Sequence, residues 1–287
     1  MKKYTYNSSI NMYEIDPRFL EEGILKAQKK SFDSIRIKAF ADDCDFKCHL
    51  DLLPLKDKKF IKKLIIDDSF KLQSVKNIEA IYSLQELIDF TIALPINIDF
   101  KELTQLEKLY LNNESYQNLS SLINLKELYF SRYSKENCCE LSKLKELTFL
   151  RLDNSKNLIS LDGIEELANL KWIWLMRNSN LYNANNLAQL KKLERLDIEG
   201  SKKLIDYSFL NNNQSIKKTL ISDLDSLDFV RNMNALENIN FWNCETGDLS
   251  PLLECPTLKE VSFHPQKKYY SHKKDEINNI LIERNKI

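Results

Sequence analysis

The chain has 287 residues, and Lys plus Arg equals Asp plus Glu at 42 each, so its formal net charge is zero. That balance excludes a dedicated nucleic-acid binder, which needs net positive potential to displace counterions. Hydrophobic residues make up 43% of the chain, enough for a continuous core, yet no run approaches the ~20 apolar residues of a membrane span.

In chain order, Met1-Lys2-Lys3-Tyr4-Thr5-Tyr6-Asn7 runs into polar residues rather than the apolar segment of a secretory signal, so a cytoplasmic chain is expected. Ile15-Asp16-Pro17 predicts a helix start, with Asp16 as N-cap, Pro17 in the first turn and Ile15 stapling Leu20. Leu20, Ile24 and Ala27 then share one face, and residues 1–59 read as an N-terminal cap with an irregular first turn. Inside it, Asp42, Asp43, Cys44 and Asp45, with Cys48 and His49, supply metal-ligand residue types. Their Cys-x-x-x-Cys-His spacing has no second pair elsewhere to complete a tetrahedral site, so no metal is expected. The six cysteines (Cys44, Cys48, Cys138, Cys139, Cys244, Cys255) lack disulfide-framework spacing and read as buried free thiols in a reducing compartment.

A leucine frame governs the rest. Its paired apolar positions are Ile35/Ile37, Leu64/Ile66, Phe90/Ile92, Leu109/Leu111, Leu128/Phe130 and Leu150/Leu152. They continue at Ile173/Leu175, Leu196/Ile198, Thr219/Ile221, Ile239/Phe241 and Val261/Phe263. From Leu128 to Thr219 the starts are 22, 23, 23 and 23 residues apart. Because alternate strand residues point to opposite faces, each pair enters a core while the residue between faces out. The frame weakens where Thr219 replaces leucine, and Asn211-Asn212-Asn213-Gln214 reads as a loop inside that weak repeat. Lys267-Lys268-Tyr269-Tyr270-Ser271-His272-Lys273-Lys274 reads as a solvated connection to a closing helix over 275–284.

The best copies, Leu-Thr-Phe-Leu-Arg-Leu-Asp-Asn-Ser at 147–155 and Leu-Lys-Trp-Ile-Trp-Leu-Met-Arg-Asn at 170–178, resemble the leucine-rich repeat family in its short, internalin-like bacterial class. The resemblance implies an α/β leucine-rich repeat solenoid. Parallel strands would line a concave face, with short helical or 3-10 connectors on the convex side, in about ten to eleven turns. Repeats would occupy 60–266, with a C-terminal capping segment at 267–287. The family carries Asn or Cys three residues after the second strand leucine. Asn178 and Cys244 match, Ser69, Ser155 and Ser201 can substitute, and Glu114, Tyr133 and Leu224 depart from it, so the ladder is broken and irregular turns are expected near 112–140 and 210–235.

The outward positions between frame residues form the candidate site. Tyr110, Tyr129, Phe149, Arg151, Asp153, Trp172, Trp174, Met176, Arg195, Asp197, Glu199, Asn240, Trp242 and His264 are expected to face solvent together. Clustered aromatics and arginine are the types enriched at interface hot spots, and charges of alternating sign suit a folded protein partner. The bland alternative is that Trp172 and Trp174 merely tuck against neighbouring side chains. Four glycines allow no phosphate-cradling loop, and three histidines leave little general-base capacity. Ser262 and His264 share a strand face without a third group. The expectation is a non-enzymatic module without cofactor, monomeric when free, that grips one folded protein and touches neither nucleic acid nor membrane. Its most concrete form is a bacterial toxin-neutralising immunity protein. The alternative is a regulatory scaffold subunit of an intracellular enzyme or signalling complex.

Overall fold

The computed structural model describes residues 2–40, 46–112 and 115–286. The chain divides into two units, Met1–Phe130 and Ser131–Ile287.

The first unit opens with an antiparallel hairpin, β1 (Tyr4–Asn7) and β2 (Met12–Ile15). Asp16 caps the next segment by accepting the Arg18 amide, as its N-cap position demands. Pro17–Phe19 first winds as a 3-10 turn, so α1 begins later than expected, at Leu20, and runs to Lys29. It buries Leu20, Ile24 and Ala27. Further strands are β3 (Ser34–Ile37), β4 (Lys47–Asp51), β5 (Lys63–Ile66) and β6 (Lys71–Lys76). After a short α2 (Glu79–Tyr82) come β7 (Asp89–Ile92), β8 (Ile98–Asp99), β9 (Lys108–Leu111), β10 (Tyr116–Gln117) and β11 (Glu127–Ser131). From β2, strands β3, β5, β7, β9 and β11 add in parallel, each in leucine register: Ile35, Leu64, Phe90, Leu109 and Leu128 stand side by side. Two small parallel pairs, β4 with β6 and β8 with β10, lie on the connectors. Nothing in the leucine frame marks them.

The second unit repeats the plan with β12 (Phe149–Asp153), β13 (Trp172–Met176), β14 (Arg195–Glu199), β15 (Lys218–Leu224), β16 (Asn238–Cys244) and β17 (Glu260–Phe263). Neighbours pair in parallel with no register shift in the leucine frame. The connectors return through 3-10 turns at Ile164–Glu166, Asn185–Gln189, Ser208–Leu210 and Asp228–Asn232. Two helices complete it, α3 (Ser250–Glu254) and α4 (Lys274–Arg284).

Among the frame residues none exceeds 4% exposure, so every described turn contributes its strand pair to the core. Buried leucines at about 2 kcal/mol each dominate the stability of such a stack. The expected weak copy is a full strand: β15 spans seven residues. Thr219 is tolerated at the leucine position because its hydroxyl donates to the Leu196 carbonyl at 2.7 Å. Asn178, fully buried, works as the family pattern implies. Its amide donates to the Leu152 carbonyl at 3.0 Å and its oxygen accepts the Ser155 amide at 2.9 Å. Tyr133 departs from that pattern by burying its ring and giving its hydroxyl to the Asn137 carbonyl at 3.0 Å. The last strand does not end open. Asn278 on α4 donates to the Val261 carbonyl and accepts the Val261 amide, both at 2.9 Å, taking the place of a further strand.

Candidate protein-binding face

Trp172 and Trp174 stand two residues apart on β13, so both leave the sheet on the side opposite Ile173 and Leu175. Their rings lie 6.2 Å apart and nearly parallel, at 8°. Each indole N–H reaches a carboxylate on β14: Trp172 donates to Asp197 at 2.9 Å and Trp174 to Glu199 at 2.7 Å. The register pairs Trp172 with Arg195 and Trp174 with Asp197, so each indole bonds diagonally, to the residue two further on.

Arginines cover the ring faces. The Arg195 guanidinium sits 4.3 Å from the Trp172 ring and gives its Nε to Asp197 at 2.8 Å. Arg151 lies 4.1 Å from the Trp174 ring and directs a nitrogen toward the Met176 sulfur at 3.8 Å and Asp153 at 3.6 Å. Phe149 meets Trp172 edge-on at 4.7 Å. Cation–π contacts of about 0.5–2 kcal/mol and charged hydrogen bonds of about 1.5–3 kcal/mol hold these side chains in one arrangement. Burial pushes the Asp197 carboxyl up from its ordinary pKa, against the pull of Arg195 and the Trp172 indole.

The structure corrects parts of the outward stripe. Phe149 is 7% exposed and Asp197 3%. Strand alternation sets which side of the sheet a residue leaves, but large side chains on adjacent strands then roof over smaller ones. Trp172, Trp174, Arg151, Asp153, Met176 and Glu199 are half-buried, and Arg195 stays exposed. The rings are tied by their edges while remaining on the outer side of the sheet. Arg177, absent from the expected stripe, grips Asp153 with one nitrogen at 2.9 and 3.0 Å. It follows the strand at a positive φ of 55°, outside the alternation that defines the stripe.

Toward β16 and β17 the face is looser. Trp242 is 44% exposed, Asn240 is half-buried beside Ser262, and His264 is exposed. No hydrogen bond joins Ser262 to His264 among the described residues. The basic run after β17 is more than a solvated connection, because Tyr270 is buried against Phe241 and Phe263 and accepts the Cys244 amide at 3.1 Å. In the first unit, Tyr110 and Tyr129 stand 6.3 Å apart. Lys108–Glu127 at 2.7 Å and Lys63–Asp89 at 2.8 Å flank them.

Asp42, Asp43, Cys44, Asp45 and Glu114 lie outside the described residues. Among the described residues no group of His, Cys, Asp or Glu is placed to hold a metal. His49 instead bonds Ser74 at 2.7 Å and Cys48 is buried. Of the described thiols, all free, Cys139 is exposed rather than buried. No described helix is long and apolar enough to cross a membrane.

No protein-family model matches the chain, and no curated protein matches it. Solved structures do. An internalin (InlF) of Listeria monocytogenes is 15% identical, with 86% of this chain and 80% of that one covered and a TM-score of 0.52. The functional domain of InlJ from the same organism, which includes a cysteine ladder, is 16% identical, covering 90% and 58%, with a TM-score of 0.53. The structure of a TLR13–ssRNA13 complex is 16% identical, covering 88% and 39%, with a TM-score of 0.57. The fold is therefore that of the leucine-rich repeat proteins, with internalins among its structural neighbours.

Proposed function

We propose that the chain is a non-enzymatic interaction module that binds a folded protein through the outer strand face of its second unit, centred on Trp172 and Trp174. The observation that carries this reading is the lattice of indoles, arginines and carboxylates on β12–β14, fixed by contacts within the chain itself. Immobilising a side chain at an interface costs about 0.5–1.5 kcal/mol, and here that ordering precedes binding. The aromatic and arginine side chains are of the kinds that anchor interfaces. A TLR13 structure holds single-stranded RNA, but the arginines of this face are matched by carboxylates. That pairing favours a protein over a polyanion.

The concrete form of this reading is a cytoplasmic, bacterial immunity protein that covers the active surface of a toxin, needing no cofactor. The competing form is a scaffold subunit. A toxin inhibitor has one partner, encoded beside it, whereas a scaffold has several unlinked ones. The test is co-expression with the product of the neighbouring gene. Protection by the wild-type chain, lost on Trp172→Ala with Trp174→Ala in a folded protein, supports the assignment; full protection by that variant removes the face from the proposal.

A further inference from the structure

The connectors leaving β12, β13 and β14 carry large apolar side chains that the core does not use. Ile159, Tyr182 and Ile205 recur 23 residues apart. The Tyr182 amide donates to the Ile159 carbonyl at 3.1 Å, which sets these two on neighbouring turns. Ile205 is 63% exposed and Tyr182 59%, while Ile159 is half-buried. Exposed apolar residues scattered singly need no explanation, but three at one repeat position form a stripe.

The stripe has a charged rim on each side. The turn before it presents exposed Lys156, Lys202 and Lys203, the last steadied by Asn180 at 2.7 Å. Beyond it lie exposed Asp162 and Asp206, which accept the Ser160 hydroxyl and the Ser208 amide at 2.8 Å. An apolar line with a basic rim and an acidic rim is complementary to itself. A two-fold axis running along the line sets apolar against apolar and each basic rim against the other copy's acidic rim. An axis across the line would set like charges together.

We propose that this stripe is a homodimer contact whose occupant is a second copy of the chain, related by a two-fold axis along Ile159–Tyr182–Ile205. This isologous arrangement makes both charge contacts at once. The contact rests on three apolar side chains per copy, one of them half-buried, so the pair should be weak and dissociate on the order of tens of micromolar.

Sedimentation equilibrium from about 5 to 200 µM, across that range of affinity, tests it. The wild-type mass should rise from 33.8 kDa toward twice that value. Tyr182→Ser with Ile205→Ser should remain a single chain throughout. Lys202→Glu with Lys203→Glu should do the same, as should Asp162→Lys with Asp206→Lys. An equimolar mixture of the two charge-reversed proteins should instead associate as a heterodimer with an affinity like that of the wild type, each component keeping an unchanged circular dichroism spectrum. A wild-type chain that stays single at the highest concentration overturns the proposal, as does a dimer that survives the serine variant. So does a charge-reversed mixture that fails to associate while both components are folded. A single-chain wild type whose stripe instead retains a foreign protein, lost on the serine substitutions, also overturns it by giving the surface another occupant.

Discussion

The indole nitrogen of Trp172 and a carboxylate oxygen of Asp197 meet at 2.9 Å across the step from β13 to β14. The same oxygen receives Arg195 Nε at 2.8 Å. Asp197 is 3% exposed, so it answers two donors with little help from water. Asp197→Ala should destabilise the protein by about 1–3 kcal/mol, the penalty for stranding buried polar groups. Asp197→Asn, which keeps an acceptor oxygen, should lose less. Urea unfolding followed by tryptophan fluorescence measures both.

The same carboxyl gives a pH signature. Its folded pKa is raised, chiefly by burial, so its contribution to stability is fully present below the unfolded value and is lost as pH rises through the folded one. Asp16 and Asp67 behave oppositely. Burial pushes both up, but Arg18 and backbone amides outweigh it at Asp16, and Ser69 and Arg36 do so at Asp67, leaving both lowered. Their stabilisation is present above the unfolded value and is lost as pH falls through the folded one. Removing Asp197 as Asn should therefore steepen the acid-side loss of stability, whereas Asp67→Asn should flatten it. Urea midpoints recorded from acid to neutral pH read the two slopes.

Asn178 ties two turns together through the Leu152 carbonyl and the Ser155 amide. Asn178→Ala strands both inside the core and should cost on the order of 3 kcal/mol. A fall in thermal midpoint and faster amide exchange at Ser155 are the expected readouts.

Gly163 and Gly200 both have positive φ, 95° and 65°. A Cβ at Gly163 would fall 2.6 Å from the Cys139 Cα, whereas at Gly200 the nearest atom is 3.6 Å away. Gly200→Ala should cost only the left-handed backbone penalty of about 1–2 kcal/mol. Gly163→Ala must also displace backbone and should cost more, about 3 kcal/mol or above. Paired thermal melts separate the two.

How much of the molecule is legible in its sequence differs between core and surface. Leu128, Leu150, Ile173 and Leu196 announce themselves because burial on a strand has a period of two, and the structure buries each. Phe149 and Asp197 do not, since their burial depends on Trp172 and Arg195, large side chains that fold over the outer side of the sheet. The order of the stripe is readable; the diagonal bonding that locks the indoles is not. Nor are the β4–β6 and β8–β10 pairs, whose residues fall outside the leucine frame. Thr219 misleads in the other direction, because a hydroxyl bonded to a carbonyl fills a leucine position without looking apolar.

The most direct test of the binding face is calorimetric titration of the neighbouring gene's protein product with wild type and with the Trp172→Ala, Trp174→Ala variant, both first confirmed as folded. Two anchors worth about 2 kcal/mol each should weaken affinity at least a hundredfold. Affinity within a few-fold of wild type in the folded variant would contradict the account.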